Sequence, residues 1–403
     1  MNRLVDYYKI VGDEAISSLY QKGRRLYGRR IIHFNSTYQG GGVAEILVSL
    51  LPLMNDIGLD VDWNILHGRP DFFTITKKFH NALQGDKINL TEMKKRLYAQ
   101  ASEDFSVFTH IHHDCVVIHD PQPLPLIMHY KKRQPWVWRC HIDLSGPNPE
   151  VWDYLKRFIL RYDTVVVSSE KYRKADLPIQ QRIIPPAIDP LASKNKELSP
   201  ADVNKYLKKF GIPTDKPLLT QVSRFDRHKD PEGVLRVFEL VREKVDCRLV
   251  LCGSMAPDDP EGVAVFERIE AKARGMTENG DVILKTVEND ILVNVLQRNS
   301  AVIIQKSKKE GFGLTVTEAL WKKRPVVASN VGGIPLQITD GESGFLVAPN
   351  DEKLFAERIV EILKTPALAE GLGKNGHEKV KRSFLITRLL SDHLELYNDI
   401  IHS

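Results

Sequence analysis

The stretch best equipped for chemistry in this chain is residues 309–321, KEGFGLTVTEALW, which follows the apolar run AVIIQ. A β-branched run, a glycine-bearing loop and a helical pattern predict a strand leading into a helix, and ligands of open α/β sheets bind beyond the carboxyl ends of strands. Gly311 and Gly313 let the backbone approach a ligand closely. The amides of Leu314 and Thr315 then fall at a helix start, where N–H groups lack intrahelical acceptors and form an anion site suited to a diphosphate. Glu310 precedes the loop and Glu318 lies in the helix. A carboxylate at Glu318 can accept both hydroxyls of a ribose, and Glu310 can hold hydroxyls of a sugar being transferred, at about 1.5–3 kcal/mol per bond to a charged acceptor. Either glutamate alone reads as a helix-dipole complement or a loop charge. The pair around one glycine loop at a strand end reads as a site.

Five other strand ends carry polar or glycine-rich loops. QVSRFDRHKDPEGV places Arg224 and Lys229 after an apolar run, and GGIPLQI (332–338) follows another. STYQGGGVAE sets Gly40, Gly41 and Gly42 directly after a strand, able to bring amides to a phosphate or an acceptor. His119-Asp120-Pro121-Gln122 follows DCVVI, and His141-Ile142-Asp143 follows WVWRC. For His119 a loop cap, and for His141 a satisfied structural histidine, are the alternatives to a functional role. Asp60-Val61-Asp62 has a metal-binding composition, but it straddles a strand start and lacks companion ligands.

The elements that must position these groups are parallel strands joined by crossover helices. One series of strands is expected at 30–35, 59–66, 114–119, 135–141 and 163–168, and a second at 217–223, 247–252, 281–285, 301–305, 325–329 and 344–347. Between them, IIPPAIDP and the charged stretch 194–199 read as an interdomain linker. The expected domains are 1–190, 191–386 and a terminal helix, 387–403, whose apolar Leu389, Leu390, Leu394, Tyr397 and Ile401 would pack back on the first domain.

With 403 residues, 42% of them hydrophobic and 27% charged, the chain has the composition of a two-domain globular protein. The longest apolar run, 46–54, is far short of the ~20 residues of a membrane span, and no secretory h-region is present, so a cytoplasmic location is expected. A formal charge of +5 without an aromatic-interleaved basic stretch excludes a nucleic-acid face. The basic cluster Lys22, Arg24, Arg25, Arg29 and Arg30 is the feature a lipid surface would use, although a solvated helix end is its commoner fate. Cys115, Cys140, Cys247 and Cys252 lack zinc-ligand spacing and read as small buried hydrophobes.

EGFGLTVTEA, with its paired Glu310 and Glu318, resembles the signature of retaining glycosyltransferase family 4. That resemblance implies an α/β GT-B fold: two doubly wound Rossmann-like domains facing across a deep cleft, with the C-terminal helix crossing back to the first. It also implies that Arg224 and Lys229 grip a donor diphosphate and that the GGIPLQI turn closes the donor pocket, although Leu336 stands where many relatives carry glutamate. NSTYQGGGVAEIL, HDPQPLPL, WRCHIDLSGPNPEVWDYL and GFGLTVTEALWKKRPVVASNVGGIPLQI are similar to the trehalose glycosyltransferring synthases, with kinship to retaining trehalose phosphorylases, from about Arg30 onward. The closer resemblance implies transfer of glucose from a nucleoside-diphosphate glucose (ADP-, UDP- or GDP-glucose) to free glucose, giving α,α-trehalose reversibly. Gly41, Gly42, His119, Asp120 and Gln122 would then line the acceptor side.

Loss of a nucleoside diphosphate builds negative charge on phosphate and positive charge on the sugar ring. Arg224, Lys229, and the amides of Leu314 and Thr315 after Gly313 would meet the first. His141, through its backbone carbonyl or ring, would meet the second. Val287 is the candidate contact to the base. No tightly bound cofactor or dedicated metal site is expected, Mg2+ entering at most as a stimulant. No carboxylate is placed for a covalent intermediate, so retention implies front-face displacement, with domain closure excluding water. A homodimer is expected on base rates. The alternatives are a trehalose phosphorylase, a transferase acting on another sugar or a lipid, and a non-catalytic sugar-nucleotide sensor.

Overall fold

The computed structural model describes residues 2–253, 260–287 and 289–402. The chain divides into two compact units, one running up to Ala187 and resuming at Ile386, the other spanning Ile188–Leu385.

The first unit is built on a six-stranded parallel sheet: β1 (Arg30–Asn35), β2 (Asp60–Ile65), β3 (Cys115–His119), β4 (Trp136–Arg139), β5 (Thr164–Val167) and β6 (Gln180–Ile183), in the order β2-β1-β3-β4-β5-β6. β3, β4 and β5 are buried along their whole length, as parallel strands covered on both faces must be. β6 was not expected. Its sequence QQRI has no apolar run because an edge strand is covered less, and none of its residues is fully buried. Helices α1 (Asp13–Arg24) and α2 (Gly42–Asp56) pack against the terminal helix (Ile386–Ile401), whose Leu389, Leu390, Leu394 and Tyr397 are buried. Lys22 of the basic cluster donates to Ser391 at 2.7 Å and pairs with Glu395 on that helix.

The second unit carries β7 (Leu218–Val222), β8 (Arg248–Cys252), β9 (Val282–Lys285), β10 (Ser300–Gln305), β11 (Val326–Ser329) and β12 (Phe345–Val347). This sheet is also parallel, in the order β12-β11-β10-β7-β8-β9. Its core gathers Leu219, Leu249, Val302 and Val327 from the strands with Val234, Phe238 and Ile359 from the covering helices.

Each sheet has one topological switch point, where consecutive growth reverses and loops diverge to leave a crevice. In the first it lies between β1 and β3, and in the second between β7 and β10. All four cysteines are free and buried. No helix among the described residues is long and apolar enough to cross a membrane.

Candidate active site

The second unit's switch point collects the groups singled out at its strand ends. After β7 the chain passes Arg224 and makes a short turn, Arg227–Lys229, fixed by the Asp226 side chain accepting from the amide of His228 at 2.7 Å. Asp230 then takes a left-handed conformation (φ 44°) and starts the helix Pro231–Arg242. Its carboxylate pairs with the buried Lys306, the first residue after β10 ends at Gln305. The amide of Lys308 donates to the carbonyl of His228 at 2.7 Å. The two loops are thus tied together.

Across this junction Lys229 Nζ lies 2.5 Å from Glu310 Oε2, and the same oxygen accepts from Gln305 and Ser307 at 3.3 Å. Glu310 is 9% exposed. Arg224 is the more open cation, its side chain 46% exposed with Nη2 3.6 Å from Asp226. Gly313 (φ 87°) precedes the helix Leu314–Trp321, and a Cβ there would lie 3.2 Å from Glu310 Cγ. The first amides of that helix, including those of Leu314 and Thr315, therefore start next to Glu310. The GGIPLQI turn sits directly on this loop. A Cβ on Gly333 would be 2.6 Å from the Gly311 carbonyl oxygen, and Gln337 donates to the Phe312 carbonyl at 2.5 Å.

Glu318 is 1% exposed, with Lys194 Nζ 3.7 Å and Gln297 Nε2 3.4 Å from its carboxylate oxygens. Behind it, burial pushes the Lys322 ammonium down to about 7, with the Glu318 charge opposing that shift. Val287 is exposed and follows β9, two strand spacings or about 10 Å from β7.

Several supporting residues carry fainter signals in the sequence. Gln221, next to last in β7, and Gln305, the last residue of β10, carry buried amides; the first donates to the Lys229 carbonyl at 2.9 Å, and the second accepts from Thr315 Oγ1 at 2.9 Å. A polar residue in the last two positions of an apolar strand was the available signal. Gly253, after β8, lies so close to the Arg224 loop that a Cβ would stand 1.8 Å from the Ser223 carbonyl oxygen.

In the first unit the glycine turn and the His119-Asp120 loop both flank the switch point. Gly40 and Gly41 have φ of 75° and 95°, and Gly41 precedes α2, which begins at Gly42. Asp120 is left-handed (φ 59°); its Oδ1 accepts from the amide of His141 at 2.7 Å, and its carbonyl accepts from Trp138 Nε1 at 3.0 Å. Gln122 is half-buried and His141 partly exposed. His119 is 3% exposed, and its two ring nitrogens face His33 at 2.9 Å and His141 at 3.0 Å. It has no ring nitrogen left for a sugar hydroxyl, which speaks against the direct acceptor contact expected of it. Among the described residues, no group of three His, Cys, Asp or Glu is placed to hold a metal ion.

Burial raises the Asp120 carboxyl from 3.8 to about 6, against the opposing hydrogen bond from His141. The folded protein therefore holds this proton up to about pH 6, while the unfolded chain releases it near 3.8. The stability it contributes is full below that lower value and is lost as pH rises through about 6. Asp120→Asn keeps the acceptor for the His141 amide and removes the titration. Thermal unfolding of the variant minus wild type, followed from pH 4 to 7, should show the variant gaining over this window. Parallel profiles would refute it.

The family model described as "Trehalose synthase, N-terminal domain" matches residues 33–174, and "Glycosyl transferases group 1" matches residues 202–379. The chain is 46% identical to a trehalose synthase of Thermococcus litoralis, across 100% of this chain and 97% of that protein. It is 42% identical to a trehalose synthase of Rubrobacter xylanophilus, across 99% and 97%. Sucrose-phosphate synthase from Thermosynechococcus elongatus superposes with a TM-score of 0.72 at 20% identity, over 93% of this chain and 99% of that one, which establishes the GT-B fold.

Proposed function

Since the chain belongs to the trehalose synthase family of glycosyltransferases, we propose that this hexosyltransferase moves glucose from a nucleoside-diphosphate glucose to free glucose, forming α,α-trehalose with retention and in both directions. The observation that carries the reading is the convergence of Lys229 and Glu310 beside the Gly313 helix start at the second sheet's switch point. A cation, a row of amides and a carboxylate within a few ångströms suit a diphosphate whose attached sugar offers hydroxyls.

In this reading Arg224, Lys229 and the amides of Leu314 and Thr315 stabilise the departing diphosphate, while Glu310 holds hydroxyls of the glucosyl ring. Glu318 takes the ribose hydroxyls once Lys194 yields. The C1–O bond to phosphate breaks as the acceptor oxygen bonds to C1 on the same face, and the acceptor's proton passes to the leaving phosphate oxygen. His141, through its carbonyl, is assigned to the cationic ring, and Gly41, Gly42, Asp120 and Gln122 to the acceptor. Any Mg2+ travels with the diphosphate.

The test is to incubate trehalose with ADP, UDP or GDP, and separately with inorganic phosphate, reading products by NMR. An α-configured nucleoside-diphosphate glucose is expected. Glucose 1-phosphate formed from phosphate alone would make the protein a phosphorylase, and tight nucleotide-sugar binding without turnover would make it a sensor.

A further inference from the structure

Three histidines and a tyrosine form a continuous hydrogen-bonded row through the first unit. Tyr397 Oη lies 3.2 Å from His33 Nε2, His33 Nδ1 lies 2.9 Å from His119 Nε2, and His119 Nδ1 lies 3.0 Å from His141 Nε2. The sheet builds the row. His33 pairs in register with Val117, and His119 pairs with Arg139, so each histidine stands two residues beyond the partner of the one before, on the same face. Ring centroids at 5.2 and 5.3 Å, with interplanar angles of 23° and 16°, match the spacing of neighbouring strands.

A neutral imidazole has one N–H and one lone pair, so three linked rings must all point their protons the same way. Burial keeps them neutral, pushing His33 down to about 3 and His119 and His141 well below the usual range; nearby Arg139 and His393 act in the same direction. Tyr397 decides the direction. Its hydroxyl is fully buried and has no partner besides His33 among the described residues. If it donates to His33 Nε2, every link is satisfied and the last proton emerges on His141 Nδ1. If the row ran the other way, the phenolic proton would be a buried donor without an acceptor.

We propose that Tyr397, His33 and His119 are positioning residues that lock His141 in its Nδ1–H tautomer, so that its partly exposed ring meets substrate as a fixed hydrogen-bond donor. His141 Nδ1 has no protein partner among the described residues. The inference rests on His141 belonging to the site. It leaves the ring's positive N–H edge for a sugar oxygen and the backbone carbonyl for the cationic carbon. The terminal helix thus does more than close the first unit: its Tyr397 supplies the proton that orders the row.

Long-range 1H–15N correlation spectra of the 15N-histidine-labelled full chain read which nitrogen of each ring is protonated, with His33→Gln and His119→Gln assigning the signals. The expected result is Nδ1–H at His33, His119 and His141. Tyr397→Phe should return Nε2–H or mixed tautomers. It should also lower kcat about tenfold with the donor KM nearly unchanged, the low end of the loss known for hydrogen-bond partners that orient metal-ligating histidines. An Nε2–H tautomer at His119 in the unmodified protein would overturn the proposal, whether or not the variant folds. So would a folded Tyr397→Phe protein with unchanged tautomers and kcat. The spectrum needs no substrate, so a failed relay shows there, whereas a failed glucosyl-transfer reading shows in the product assay.

Discussion

Arg224→Ala is expected to lower kcat by about 10²–10³-fold, the usual cost of deleting one preorganised group aimed at developing negative charge. The expectation follows from how the two cations are held. Lys229 is already paired with Glu310 at 2.5 Å and is mostly buried, so part of its charge is balanced before any donor arrives. Arg224 is half exposed and only loosely associated with Asp226 at 3.6 Å, so its guanidinium is available for two phosphate oxygens at once. The same exposure makes the substitution mild for the fold: the buried Asp226 keeps the His228 amide at 2.7 Å, and the thermal midpoint should move by no more than the change typical of surface sites, about 0.5 kcal/mol in stability. The measurement is steady-state kinetics of trehalose formation in chelator and in Mg2+. Near-normal turnover of the variant without metal would show that the protein's own cations do not carry the leaving-group charge.

The contact between Lys229 and Glu310 is written in no local stretch of sequence. Lys229 and Glu310 are 81 positions apart, and their loops meet because β7 and β10 are neighbours at the switch point. The glycines, the apolar runs and the lone polar residues at strand ends located each loop separately, since those patterns are dictated by local geometry. Adjacency of strands is set by how the whole sheet is wound. The same distinction separates β7, whose LLTQV is legible as a buried strand, from β6, whose QQRI carries no signal because an edge needs less apolar cover. It also explains the histidine row. His119 and His141 stood out at strand ends, but His33 lies inside an apolar strand and Tyr397 on an amphipathic helix, where each resembles ordinary core. Their pairing emerges once β1, β3 and β4 are seen side by side. Gly253 is the case with least local signal, since its need for a bare Cα comes entirely from the Ser223 carbonyl on the neighbouring strand's loop.

The two glutamates should separate kinetically. Glu310→Ala is expected to lower kcat by about 10–150-fold, the equivalent of 1.5–3 kcal/mol for hydrogen bonds to a charged acceptor that tighten in the transition state. The donor KM should stay level or fall, because Lys229 loses its internal partner and becomes free to hold the diphosphate of the ground state. Glu318→Ala should instead raise the donor KM about tenfold with a smaller change in kcat, since ribose hydroxyls lie far from the breaking bond and contribute equally before and during the reaction. Its buried setting adds a second effect. Without the Glu318 charge the Lys322 ammonium, already pushed down to about 7, loses its main electrostatic support and gives up its proton at lower pH. Unfolding midpoints should accompany the kinetics of both variants, so that a loss of folded protein is not read as a loss of binding. If both substitutions lowered kcat and raised KM by the same factors, the carboxylates would not divide sugar and ribose between them.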